Sequence, residues 1–251
     1  MIAIVNQKGG VGKSTTAVNL GAYLAASGKR VLLVDIDPQG NATSGVGVEK
    51  GKVGQCMYNV LVEGVDAKEV ILPTEVEGFF VAPATISLAG AEIELVPTIS
   101  REYRLKRALA SVVDDYDYLL IDSPPSLGLL TVNGLTAADG VLVPIQCEYY
   151  ALEGLSQLMK TIEMVRTHLN GSLQVDGVVL TMFDPRTNLS RQVMEEVRAF
   201  FGQRVKVFDT VIPRNIRLSE APSFGKPILL YDDRCSGAQA YRELAMEVLA
   251  S

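Results

Sequence analysis

The sequence begins with a run that leaves little freedom of fold. An apolar stretch, Met1–Asn6, leads into Lys8-Gly9-Gly10-Val11-Gly12-Lys13-Ser14-Thr15, and a helical pattern then continues to Ser27, where Gly28 stops it. A strand that ends in a glycine-rich turn and opens directly into a helix is the setting in which such a loop binds phosphate. Glycines let backbone N–H groups converge on an anion without interference from Cβ atoms, and the helix N-terminus adds free donors and a favourable dipole. Gly9, Gly10, Val11 and Gly12 would form the cradle, and Lys13 can reach the β- and γ-phosphates of ATP. The Ser14 hydroxyl can ligate Mg²⁺, and Thr15 is placed for the α-phosphate. The general phosphate-loop pattern wants glycine where this chain has Gln7, and Lys8 is an additional cation at the start of the loop. Lys8 cannot easily serve the same phosphates as Lys13, but it can reach across a two-fold interface to a partner's nucleotide.

Three aspartates end apolar strands: Asp35 and Asp37 in "LLVDIDPQGN" and Asp122 in "LLIDSPPSLG". Ligands of open α/β sheets bind beyond the carboxyl ends of the strands. Carboxylates there can hold Mg²⁺ or orient a water, so Asp122 and Asp35 are the candidates beside Ser14 for the metal, and Asp37 for positioning the hydrolytic water. The ends of later strands place Met182, Pro213 and Asn215 as candidates for the adenine pocket.

The rest of the chain alternates strands and helices, with strands expected over Arg30–Asp35, Phe79–Ala82, Tyr118–Asp122, Gly140–Ile145, Gln174–Met182 and Val205–Val211. Helices are expected over 127–138, 152–169, 189–201 (with Asn188 able to cap it) and 238–249. Ser100 can cap another that reaches about Asp114, and 37–47 reads as a polar loop. Near-continuous apolar strands such as "RVLLVD" belong in a sheet covered on both faces. The expected fold is therefore α/β: a doubly wound, mostly parallel sheet with helices on both faces, in one domain over 1–251. With 48% apolar residues, 251 residues suffice for one such core. Cys56, Cys147 and Cys235 lie far apart, so three buried free thiols are expected, not a disulfide framework, zinc site or iron–sulfur site. The absence of a charged leader and of long apolar runs points to a cytoplasmic protein with no membrane partner.

Net charge is −6, yet 186–217 holds Arg186, Arg191, Arg198, Arg204, Lys206, Arg214 and Arg217 against Glu195, Glu196 and Asp209. A local excess of four positive charges can hold phosphates without base readout.

Taken together, "NQKGGVGKSTTAVNLGAYLA", "GKRVLLVDIDPQGNATSG", "YDYLLIDSPPSLGLLTVNGLTAAD", "TMFDPRTNLS" and "IPRNIRLSEAPSFGKPI" resemble the ParA/Soj family of chromosome and plasmid partition ATPases, of the deviant Walker A class. Gln7 is the usual residue there. The resemblance implies a P-loop NTPase fold, ATP held between two subunits, and a trans role for Lys8. It also implies hydrolysis supported by Asp37 and nucleotide binding that needs Lys13. The partners it implies are a second copy in an ATP-dependent homodimer, non-specific double-stranded DNA on the nucleoid, and a ParB/Spo0J-like centromere-binding protein. Arg186, Arg214 and Arg217 match positions associated with DNA contact. The longer members' N-terminal helix-turn-helix domain is not expected in this chain. A MinD-like membrane-cycling ATPase would need a basic apolar stripe at the C-terminus, where "AYRELAMEVLAS" reads as a packed helix. A nucleotide-gated filament protein is the non-enzyme alternative.

Overall fold

A computed structural model describes residues 1–149, 152, 154–202 and 204–251. Eight strands form a single sheet in the order β3-β4-β2-β5-β1-β6-β7-β8. They are β1 (Ile2–Ile4), β2 (Val31–Asp35), β3 (Leu72–Pro73), β4 (Phe79–Ala82), β5 (Tyr118–Asp122), β6 (Gly140–Gln146), β7 (Gln174–Phe183) and β8 (Val207–Pro213). Every pairing is parallel except that of β3 with β4, a two-residue antiparallel edge. The mostly parallel doubly wound sheet is thus as the alternating pattern requires.

Alternation along the strands divides the core between the two faces of the sheet. Ala3, Val5, Leu32 and Val34 belong to one apolar cluster, and Ile4, Val31 and Leu33 to the other. The first face is covered by α2 (Leu129–Ala137), α3 (Leu155–His168) and α4 (Asn188–Phe201), and the second by α1 (Lys13–Ala26) and α5 (Ser236–Leu249). α1 is enclosed almost all round, since α5 packs outside it and the sheet lies beneath. α5 turns Ala238, Tyr241, Leu244 and Ala245 inward, which makes the C-terminus a packed helix, as its sequence implied. Among the described residues no helix is long and apolar enough to cross a membrane.

Some local expectations give way to tertiary context. Thr187, not Asn188, caps α4: its backbone is extended and its hydroxyl accepts from the Ser190 N–H, while Asn188 is already helical. Ser100 adopts a left-handed backbone (φ 55°) and does not cap. The helix expected after it breaks into Arg101–Tyr103, Arg104–Leu109 and Val113–Asp115. The supposed loop 37–47 contains a helix, Asn41–Gly45, and the last strand lies two residues later than expected. The start expected for α3 includes Glu153, outside the described residues; the helix is seen from Leu155. Cys56 and Cys147 are buried free thiols as expected, whereas Cys235 is only half-buried and its sulfur accepts from the Ala238 N–H at the start of α5.

Gly21 lies in α1 where a Cβ would stand 2.6 Å from two ring atoms of Phe79. Alanine normally favours a helix interior over glycine by about 1 kcal/mol. Here overpacking against a buried ring, about 1–3 kcal/mol, outweighs that gain. Gly21→Ala is expected to lower the midpoint of denaturant unfolding, and a raised midpoint would contradict this packing.

Candidate nucleotide-binding site

The site lies along the carboxyl edge of the sheet, on both sides of central β1. Register places Ile4 and Asp35 each opposite Asp122, so the chain leaving β1 and the two strand-end carboxylates meet at one place. The phosphate loop follows β1. Gly10 (φ 74°) and Gly12 (φ 90°) take left-handed backbone, where a side chain is strained. Gly12 caps α1 with its carbonyl, which accepts from the Thr16 N–H at 2.8 Å. The loop is anchored to β7 through the buried Thr181 hydroxyl, which donates to the Val11 carbonyl at 2.8 Å.

A cleft of about 510 Å³ opens over this loop. Its floor is Gly9, Gly10 and Gly12 to Thr15, one wall carries Asp37, Gln39 and Asn41, and Met182 stands at another side. The far wall comes from Ala221, Pro222, Ser223 and Lys226, in the segment between β8 and α5. Pro213 and Asn215 are not among the lining residues. Asn215 instead caps the short helix Ile216–Glu220, accepting from the Arg217 and Leu218 N–H groups, and donates to Ser236. The sequence reading missed the far wall; "EAPSFGKPI" lay within a quoted motif, but only folding returns it to α1. Met182 lies at the cleft in left-handed backbone (φ 52°), a conformation uncommon for residues other than glycine.

Within the cleft the acidic residues differ in what they have left to offer. Asp35 is fully buried and committed to its own loop: one oxygen accepts from the Asp37 N–H (3.1 Å), the other from the Thr43 N–H and hydroxyl (2.8 and 2.7 Å). Burial pushes its pKa up to about 6, opposed by these hydrogen bonds. Asp122 is equally buried, yet neither carboxylate oxygen has a hydrogen-bond partner. Burial, then the neighbouring Asp35 charge, raises its pKa well above the usual carboxylate range. The Ser14 hydroxyl is near enough to favour the ionised form, without a bond of normal geometry. A pair of buried, unsatisfied carboxylate oxygens beside a hydroxyl fits a hard divalent cation, which takes oxygen ligands. Asp37 is 5% exposed and accepts from the Gln39 N–H at 2.9 Å.

Two lysines flank the loop in different ways. Lys13 is buried, and its ammonium donates to the Lys8 carbonyl at 3.1 Å. Burial lowers its pKa, while Asp122 and Asp37 pull the other way. The Lys8 side chain leaves the loop and stands half-exposed, 3.5 Å from Glu148. Arg214 reaches the other oxygen of Glu148 at 3.5 Å. Arg186 and Arg214 follow β7 and β8 at the same sheet edge, where the Arg214 N–H donates to the Phe183 carbonyl. Arg186 is exposed and forms a two-pronged pair with Asp184, whose pKa it holds down at about 2. Arg217 pairs with Glu220 and Asp232. The sequence count of local positive charge omitted all four of these acids, because Glu148, Asp184, Glu220 and Asp232 lie outside 186–217 or beside Arg186 just before it.

A family model described as an AAA domain matches residues 1–175. The chain is 66% identical over 251 residues to the sporulation initiation inhibitor protein Soj of Bacillus subtilis, covering 100% of this chain and 98% of that protein. It is 56% identical over 252 residues to the chromosome partitioning protein ParA of Caulobacter vibrioides, covering 100% and 94%. Among solved structures, cobyrinic acid a,c-diamide synthase from Mycobacterium smegmatis with bound ATP analogue and magnesium has 42% identity and a TM-score of 0.86, over 99% of this chain and 93% of that one. With 66% and 56% identity to these partitioning proteins over the whole of its length, the chain belongs to the ParA/Soj family of partitioning ATPases, of the deviant Walker A type.

Proposed function

We propose that this protein is a nucleotide-driven DNA-partition switch, in which two copies close over ATP, hold double-stranded DNA without sequence preference, and release it when a ParB/Spo0J-like partner stimulates hydrolysis. The observation that carries the reading is the split between the two loop lysines: Lys13 turns into the cleft, whereas Lys8 turns its ammonium away from it. A cation at the mouth of its own phosphate loop but outside it is available to a second subunit's nucleotide. The solved relative named above, which holds an ATP analogue and magnesium, supports a nucleotide in this cleft.

In this reading Gly9 to Thr15 bind the triphosphate, with backbone donors and Lys13 facing the charge that grows in the transition state. Asp37 positions the attacking water. Ser14 and Asp122 would hold Mg²⁺, which when bound neutralises phosphate charge; Asp35, already saturated by Thr43 and Asp37, fixes the loop that carries Asp37. Met182 borders the base. Arg186, Arg214 and Arg217 form a strip for phosphate backbone, and a dimer doubles its contacts. The acids paired with these arginines keep the strip weak in a single subunit, so firm attachment to the nucleoid needs two.

Asp37→Ala is expected to cut turnover by roughly 10²-fold or more and to accumulate an ATP dimer on DNA. Adding Lys8→Ala to that variant should return it to monomers while nucleotide affinity stays close to that of the parent. Light scattering with saturating Mg·ATP reads the first change against the second, and a dimer that survives loss of Lys8 would remove its trans role.

Changing Arg186, Arg214 and Arg217 together to alanine should flatten the salt dependence of DNA binding. Six phosphate contacts per dimer at about 0.9 each allow a decrease in slope of up to about 5 in log K against log salt. An unaltered slope would place the DNA contacts elsewhere.

The raised pKa of Asp122 also sets a stability profile. A carboxyl whose folded pKa exceeds its unfolded value holds more protons when folded, so its contribution to stability falls as pH rises from about 4 through the folded pKa. Asp122→Asn removes that titration. Without metal, the melting temperature of the variant relative to wild type should rise steadily between pH 4 and pH 8. A pH-independent difference would show that the folded pKa of Asp122 is not raised.

A further inference from the structure

Lys226 is the second lysine in the lining of the cleft, in the segment between β8 and α5. It is half-buried, and among the described residues its ammonium has neither an ion pair nor a hydrogen bond, whereas Lys13, Lys8 and the three strip arginines all have partners. A half-buried cation that faces an anion-binding cleft with nothing to neutralise it is expected to meet charge from a ligand.

Its backbone is held firmly on both sides. Gly225 is left-handed (φ 63°), and a Cβ there would stand 3.0 Å from the Gly47 Cα, so only glycine lets the two turns touch. The Lys226 N–H donates to the Ala221 carbonyl at 3.2 Å, and Pro227 follows. Two residues on, the buried Ile228 N–H donates to Asn19 Oδ1 at 2.7 Å, and Asn19 Nδ2 donates to the Thr15 carbonyl at 2.8 Å. Asn19 thus ties the Lys226 turn to the end of the phosphate loop where Thr15 sits.

We infer that Lys226 is a nucleotide-binding residue that pairs with the phosphate nearest the nucleoside, so that ADP and ATP engage it alike. It adds to affinity without sensing the γ-phosphate, and Asn19 is the positioning residue that keeps its turn in reach. The inference rests on the proposal that this cleft takes ATP.

The test is nucleotide affinity of the full chain, read with fluorescent ATP and ADP, for wild type, Lys226→Met and Lys226→Arg. Methionine keeps the length of the stem and removes the charge. A half-exposed charged contact warrants about a tenfold loss. That loss should be equal for ATP and ADP in Lys226→Met and largely restored in Lys226→Arg, with the melting temperature of the nucleotide-free protein unchanged. Asn19→Ala should lose affinity for both nucleotides in the same ratio. Unchanged affinity in Lys226→Met overturns the inference, as does a loss confined to ATP, which would assign Lys226 to the γ-phosphate. A loss of salt-sensitive DNA binding with nucleotide affinity intact overturns it too, by moving Lys226 to the DNA strip. Wild type that binds neither nucleotide would instead remove the cleft reading itself.

Discussion

Asp35 and Asp122 stand opposite each other on neighbouring strands, both buried, with Lys13 buried beside them at the start of α1. Removing charged groups from water is costly unless they are paired and hydrogen-bonded. Asp35 meets that condition through Thr43 and the Asp37 N–H; Asp122 does not. The residual imbalance lies where the phosphate loop opens, so a bound cation and anion would relieve it together. Filling the cleft would recover stability that the fold forgoes here.

The same edge of the sheet links the cleft to the surface. β7 anchors the phosphate loop through Thr181, supplies Met182 to the cleft, and runs on to the turn that carries Arg186. The segment after β8 carries Arg214 and Arg217 and then returns to form the far wall of the cleft. The elements that would touch nucleotide and those that would touch DNA are therefore consecutive pieces of chain. A shift of the far wall against α1 need travel only a few residues to reach Arg217.

Much of this was legible in the residues because the physics is local. A glycine-rich turn between an apolar strand and a helix, aspartates that end apolar strands, and two-residue alternation all act over a few positions, and they foretold the phosphate loop, the strand-end carboxylates and the parallel sheet. Caps and short helices were read less well. Thr187 and Asn188 can both cap, and the choice between them depends on where β7 delivers the chain. The helix expected after Ser100 fails because its residues must follow the surface of α2, where Asn133 accepts from the Leu105 N–H.

What the sequence determined by itself was the chemistry at each strand end: glycines for an anion, a hydroxyl and carboxylates for a cation, and an extra lysine for something outside the loop. What only the tertiary structure decided was which of those groups remain free. Asp35 is consumed by Thr43, eight residues away, and Asp122 is left bare by its register with β1 and β2. Each strip arginine meets an acid, the Arg214 pair reaching back to the end of β6. The Lys226 turn is held at the cleft by the bond from the Ile228 N–H to Asn19, 209 residues away. Hydrogen-bond satisfaction and charge pairing depend on neighbours in space, and a chain order that returns β5 beside β1, and the C-terminal segment beside α1, assigns those neighbours only on folding.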